Sequence, residues 1–151
     1  MKIKIHKAKK SDSKEILRLI NELAGFEKLA PPDSKAKKRL INDAFGKKPL
    51  YYVLLAKDGE KSVGYAFYFF TYSSFLARKT LYLEDIFISE NRRKLGIGKM
   101  FFDELIKIAM KNKCGRMEWC VLDWNVNAIK FYEKLGAKQL QEWLYYRMSF
   151  E

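Results

Sequence analysis

Between Arg92 and Lys99 the chain reads Arg-Arg-Lys-Leu-Gly-Ile-Gly-Lys, four cations around two closely spaced glycines. Glycine has no Cβ, so backbone there can approach a ligand closely and positive φ is allowed. If a helix starts at this loop, its first free N–H groups and the positive end of its dipole add to the side-chain charge. Such a loop suits a polyphosphate. It is neither a Walker loop, which ends in Gly-Lys-Ser/Thr, nor a dinucleotide fingerprint, which spaces three glycines. An ordinary solvated turn would use the same residues, so the loop alone leaves both readings open.

Other reactive side chains are sparse. Glu84 and Asp85 are adjacent in the run before the loop, and on a strand neighbours point to opposite faces, so only one can face a cleft. His6 is the single histidine and sits on the first strand away from every motif, which leaves a histidine-based triad without support. Cys114 and Cys120 are too few and too poorly spaced for a disulfide scaffold or a zinc site, and read as two reduced thiols of a cytoplasmic protein. Tyr132 falls on a helical apolar stripe with Ala128, Phe131 and Leu135, a position that equally suits a core tyrosine.

The elements that must position these groups follow from patterning. Leu81 to Ile88 is rich in β-favouring residues and predicts a buried strand. Ser89-Glu90-Asn91 predicts a turn, and Lys99 to Lys111 a helix whose polar positions are confined to Lys99, Asp103, Glu104, Lys107 and Lys111. Upstream, Lys2 to His6 alternates as a first strand. Asp12 and Glu15 are spaced as a capping box for a helix that ends at Gly25. Asp33 is a candidate N-cap for a second helix over Ser34 to Phe45, stopped at Gly46.

Leu50 to Ala56 and Ser62 to Tyr72 predict two strands joined through Asp58-Gly59, and Thr71 to Lys79 a second hairpin into the central strand. Downstream, Arg116 to Leu122 predicts a strand, Val126 to Gly136 a helix with Gly136 as C-cap, and Lys138 to Phe150 closing strand material. Strands and helices alternate through the second half, which implies a mixed α/β sheet covered by helices.

At 151 residues and 48% apolar composition the chain is one domain with a core of its own. No apolar run reaches the roughly 20 residues that span a bilayer. The net charge of +12 is concentrated early: residues 1–48 hold 14 Lys/Arg against 6 acids. That excess is open to three readings: a nucleic-acid footprint, a lysine-rich surface, or a field that draws in an anionic cofactor. No zinc-finger spacing, RNP pattern or heptad accompanies it, so nucleic-acid binding as the main role has little behind it.

Arg93-Lys94-Leu95-Gly96-Ile97-Gly98 resembles the Arg/Gln-x-x-Gly-x-Gly/Ala loop of the GCN5-related N-acetyltransferase superfamily. Tyr82-Leu83-Glu84-Asp85, Leu122-Asp123-Trp124-Asn125 and Phe131-Tyr132-Glu133-Lys134-Leu135-Gly136-Ala137 are similar to its spermidine/spermine (diamine) acetyltransferase branch, and the likeness runs from about Lys2 to Met148. It implies a single α/β domain over 1–151, with a mixed, mostly antiparallel central sheet flanked by about four helices. It implies acetyl-CoA, or coenzyme A, as cofactor. The pyrophosphate is then assigned to Arg93, Lys94, Leu95, Gly96, Ile97, Gly98 and Lys99, and the pantetheine arm to backbone around Ile86, Phe87 and Ile88. Asn125, Ala128 and Tyr132 are further cofactor contacts.

Aminolysis of a thioester needs a held acyl donor, a deprotonated amine, a stabilised oxyanion and a proton for the leaving thiolate. By resemblance Glu84 is the base, acting through water, and Tyr132 the acid. Phe26, Glu27, Glu84, Glu118, Trp119 and Cys120 align with positions that touch the acceptor amine, a polyamine, a diamine or a lysine-like amino acid. One departure stands out. Thr71-Tyr72 is followed by Ser73-Ser74-Phe75 where diamine-acetylating relatives carry an acid, and the link to Tyr82 is one residue longer, which weakens the case for a long polycation. The family implies a homodimer through C-terminal strands. Two rivals are carried forward: acetylation of a protein lysine or N-terminus, and a CoA-binding or nucleic-acid-associated module without catalysis.

Overall fold

The run from Leu81 to Ile88 forms the C-terminal part of a longer strand that pairs on both sides. The computed structural model describes residues 2–150. In it β4 (Arg78–Ile88) pairs antiparallel with β3 (Lys61–Ser73) on one side and parallel with β5 (Arg116–Trp119) on the other. β2 (Tyr52–Asp58) and β1 (Ile3–Lys7) complete a five-stranded sheet in the order β1-β2-β3-β4-β5. The sheet is mixed and mostly antiparallel, as the family resemblance implies. Four α-helices accompany it: α1 (Ser13–Glu27), α2 (Ser34–Phe45), α3 (Ile97–Lys111) and α4 (Val126–Lys134). The chain divides into two units, one ending at Trp119 and the other beginning at Cys120.

Each face of the first unit's sheet has its own apolar layer. On one, Ile16 and Leu19 of α1 pack with Tyr51, Val53, Leu55, Tyr65 and Phe87. α3 buries Ile97, Phe101, Phe102, Leu105 and Ala109. A Cβ built on Gly64 would meet the side chains of Phe101 and Ile88, each at 3.3 Å, which puts Gly64 on the α3 face. Each large side chain so buried contributes roughly 1.5–3 kcal/mol.

Local chemistry explains several boundaries. The Asp33 carboxylate accepts from the Ala36 amide at 2.8 Å, so α2 starts and ends where its cap and Gly46 put it. Asp58 pairs with Lys61 across a Gly59-Glu60 turn, and the second hairpin closes with the Ser73 hydroxyl accepting from Leu76 N–H at 3.1 Å.

Four expectations need correction. The Asp12–Glu15 capping box does not form: Asp12 accepts from Lys9 N–H and Lys57, and Glu15 from Arg18 at 2.6 Å and Ser62 N–H at 3.1 Å, so both carboxylates are committed elsewhere. α1 runs two residues past Gly25, since Phe26 packs on the core and Lys28 takes the left-handed position (φ 58°). β5 stops at Trp119 rather than Leu122, whose carbonyl is taken by Asn125 N–H in the turn into α4.

The fourth is the closing strand over Lys138 to Phe150, which is absent among the described residues. Among the described residues the segment's backbone bonding outside helices and strands is a turn from Trp143 N–H to Leu140 O, and a strand forms only where its N–H and C=O groups find a partner strand. Its large apolar side chains are exposed, Tyr146 at 90%.

Gly25 therefore sits inside a helix with no atom within 4 Å of where a Cβ would be. Gly25→Ala should stabilise the protein by roughly 0.5–1 kcal/mol, because alanine loses less backbone freedom on folding. A thermal melt should show a gain of roughly 1–4 °C. A drop would mean that this helix turn is not formed in solution.

Candidate active site

The register of β4 against β3 breaks once. Phe67 lies opposite Asp85 and Tyr68 opposite Leu83, so Glu84 is the extra residue of a β-bulge. Cross-strand partners share a face, and the bulge changes which face β4 presents. Leu83 shares the α3 face with Tyr68, whereas Asp85 and Phe87 join Phe67 and Tyr65 on the α1 face. Glu84 is exposed.

Asp85 is largely enclosed, and its Oδ2 accepts from the Tyr65 hydroxyl at 3.0 Å. Burial pushes its carboxyl up to about 6; the Tyr65 bond opposes that, and the charges of Glu84 and Glu27 reinforce it. The Tyr65 phenol is raised far above its ordinary value by burial and by Asp85. Burial also raises the Glu27 carboxyl. Among the described residues none of Glu27, Glu84 or Asp85 is in a salt bridge. Phe26, beside Glu27, meets Phe87 at 6.3 Å between ring centroids.

β5 leaves β4 early. The parallel ladder covers Thr80 to Leu83, and beyond it the β5-side edge of Glu84 to Ile88, which includes Ile86, Phe87 and Ile88, has no strand partner among the described residues. An open strand edge accepts an extended, amide-bearing chain. At the start of that gap, Trp119 lies opposite Leu83 and meets Phe102 edge-on at 5.1 Å. Glu118 lies opposite Tyr82 and pairs with Arg116 at 3.1 Å.

After β4 the chain makes a 3-10 turn, Glu90–Arg92, and enters the basic loop. Arg92 pairs with Asp58 at 2.6 Å. Arg93 is turned inward: its guanidinium lies 4.6 Å from the Phe26 ring centre and 5.4 Å from that of Phe87, and Nε donates to the Ile88 carbonyl. It braces the loop. Lys94 (φ 62°) and Gly96 (φ 80°) both take the left-handed conformation. Leu95 is exposed, and Lys99 pairs with Asp103 on the helix surface.

The first α3 bond runs from Met100 N–H to the Gly96 carbonyl, so the helix starts at Ile97, two residues before the expected Lys99. Among the described residues no acceptor faces the amides of Lys94, Leu95, Gly96, Ile97, Gly98 or Lys99. Six consecutive free donors at the positive end of a 15-residue helix fit a pyrophosphate, and together with the open β4 edge they fit a coenzyme A.

In the second unit Asn125 caps α4, accepting from Ala128 N–H at 3.3 Å. Tyr132 is half-buried with its ring 5.8 Å from that of Phe131, and Cys120 is exposed with its thiol on the Tyr145 hydroxyl. Tyr65 and the Glu84 bulge were missed by sequence reasoning. Tyr65 shares its apolar run with Tyr68 and Tyr72, so nothing in the sequence singles it out.

Comparison with known proteins fits this geometry. The model of the acetyltransferase (GNAT) family matches residues 15–137. Thialysine N-epsilon-acetyltransferase of Mus musculus is 36% identical over 98% of this chain and 93% of its own length. L-ornithine N5-acetyltransferase of Arabidopsis thaliana is 46% identical over 57% of this chain and 38% of its own. Among solved structures, an integron cassette protein of V. cholerae superposes with a TM-score of 0.81 at 26% identity, covering 99% of this chain and 94% of that one.

Proposed function

Because the chain belongs to the GNAT acetyltransferase family and is an acetyl-CoA-dependent N-acetyltransferase, we propose that its acceptor is the primary amine of a small molecule, a lysine-like amino acid, diamine or polyamine, acetylated by direct transfer in a ternary complex. The observation that carries the cofactor half is the run of free amides from Lys94 to Lys99. The acceptor half is supported by the relatives' small amine substrates and by Glu27, Glu84 and Asp85, which are in no salt bridge among the described residues and suit a positively charged guest.

Bound to those amides and the β4 edge, acetyl-CoA supplies a thioester carbonyl. The chain's residues do the rest. Glu84 takes the ammonium proton through water, since an amine with pKa near 10 gives direct abstraction little driving force. A backbone N–H between Ile86 and Ile88 holds the developing oxygen charge. Tyr132 returns a proton to the leaving sulfur, and Phe26, Glu27, Glu118, Trp119 and Cys120 shape the acceptor's surroundings. Arg93, turned inward, contributes by fixing the loop; Asn125 and Ala128 contribute cofactor contacts.

We also propose that both units form one acetyltransferase domain, since the family match crosses their boundary, and that two copies associate through the exposed apolar segment after Lys138. A cytoplasmic location accords with Cys114 and Cys120 being in no disulfide among the described residues. Among the described residues no helix is long and apolar enough to cross a membrane.

The deciding experiment is CoA release from acetyl-CoA with thialysine, lysine, ornithine, a diamine, spermidine and lysine-containing peptides as acceptors. Turnover is expected with the free amines. Turnover with peptides alone would transfer the enzyme to the protein-acetylating reading, and salt-sensitive DNA binding without turnover to the non-catalytic one.

A further inference from the structure

The Tyr65–Asp85 pair is used by none of these roles. Tyr65 is fully buried in the middle of the sheet, and its O–H is spent on Asp85 Oδ2 at 3.0 Å. Asp85 reaches that hydroxyl because of the bulge: in an unbroken register it would share the α3 face with Leu83. The groups that face it are Tyr65 from β3, Glu84 from its own strand and Glu27 from α1, and none is a cation. Arg93, the cation over Phe26 and Phe87, is committed to the Ile88 carbonyl. A carboxyl enclosed without a counter-charge is costly to ionise.

We propose that Tyr65 is a positioning residue for the acceptor: it holds Asp85 where, with Glu27, the carboxylate receives a second, non-reacting cationic group of the amine substrate. The inference rests on the small-amine reading above. The chemistry selects the second charge. The reacting nitrogen must shed its proton before it attacks, so only a cation that keeps its proton can remain paired with a carboxylate through the reaction. Lysine-like amino acids carry one in the α-ammonium, and diamines in the far amine. Phenylalanine at position 65 would fill the same space but leave Asp85 untethered and harder to ionise.

The test compares 1,5-diaminopentane with pentylamine, which differ by one terminal ammonium. In the wild type kcat/KM should favour the diamine and fall on the acid side near pH 6, as Asp85 gains its proton. Tyr65→Phe should cost the diamine roughly 10-fold, mostly in KM, leave pentylamine within about twofold, and move the acid limb to higher pH, since the lost hydrogen bond favoured the ionised form. Asp85→Asn keeps a hydrogen-bonding partner for Tyr65 and should abolish both the limb and the preference.

A second readout does not depend on turnover. The Asp85 carboxyl signal in a carbon-13 titration should move its midpoint downward on adding 1,5-diaminopentane with CoA, and not on adding pentylamine. Equal losses for the two amines in Tyr65→Phe, or an unmoved acid limb, would reduce Tyr65 to packing and overturn the proposal. An unmoved carboxyl midpoint would overturn it too. A wild type that acetylates neither amine while its carboxyl midpoint still responds would instead remove the small-amine reading and leave the binding role standing.

Discussion

Tyr132→Phe is expected to lower kcat by about 10²–10³-fold while the Kd for CoA stays within about twofold. A phenol near pKa 10 is a weaker acid than a thiol near 8.5, so protonating the leaving sulfur is uphill by roughly 2 kcal/mol in water. A field that favours phenolate must supply that difference, and the removal of the hydroxyl forfeits the whole contribution. Phenylalanine keeps the ring on α4 beside Phe131, so the helix should be spared. Rapid-quench turnover with calorimetry of CoA separates the outcomes. Unchanged kcat would defeat the assignment of the acid, and a Kd that worsened as much as kcat would make Tyr132 a cofactor contact only.

What could be read from the chain divides along the range of the interactions concerned. Asp33, Gly46, Asp58-Gly59 and the Asn125 cap act over two or three residues, and each marks a boundary that the fold keeps. The loop around Gly96 was legible for the same reason. Glu15 misled because it is held by Arg18 and by the Ser62 amide, the latter 47 residues away, and no local pattern encodes that long-range partner. Gly25 misled because a propensity cost of about 1 kcal/mol yields to the burial of the next residue, Phe26.

The bulge at Glu84 is the instructive failure. Strict alternation sends Glu84 and Asp85 to opposite faces, and it also assigns Asp85 to the face of Leu83. One extra residue overrides the second inference, and the choice of where to insert it belongs to the pairing of β3 with β4. The Tyr65–Asp85 bond depends on that pairing and was invisible for the same reason.

Gly96→Val should weaken CoA binding by roughly 5–30-fold, about 1–2 kcal/mol. Space does not set this cost, since no atom lies within 4 Å of the position a Cβ would take. The backbone does: at φ 80° a β-branched residue is strained by roughly 1–2 kcal/mol, and the loop relieves that strain by leaving the conformation. Lys94 already holds one left-handed position two residues earlier, so little slack remains nearby. Once the turn opens, the amides from Lys94 to Lys99 cease to point at one anion.

All four cations survive in this variant. The salt dependence of residual CoA binding should therefore keep the wild-type slope, which distinguishes lost amide geometry from lost charge. Calorimetry across two ionic strengths reads both quantities, with a thermal melt to confirm folding. If the folded valine variant binds CoA with wild-type affinity, the pyrophosphate does not sit at the start of α3, and the roles given to Glu84 and Tyr132 lose their common reference point.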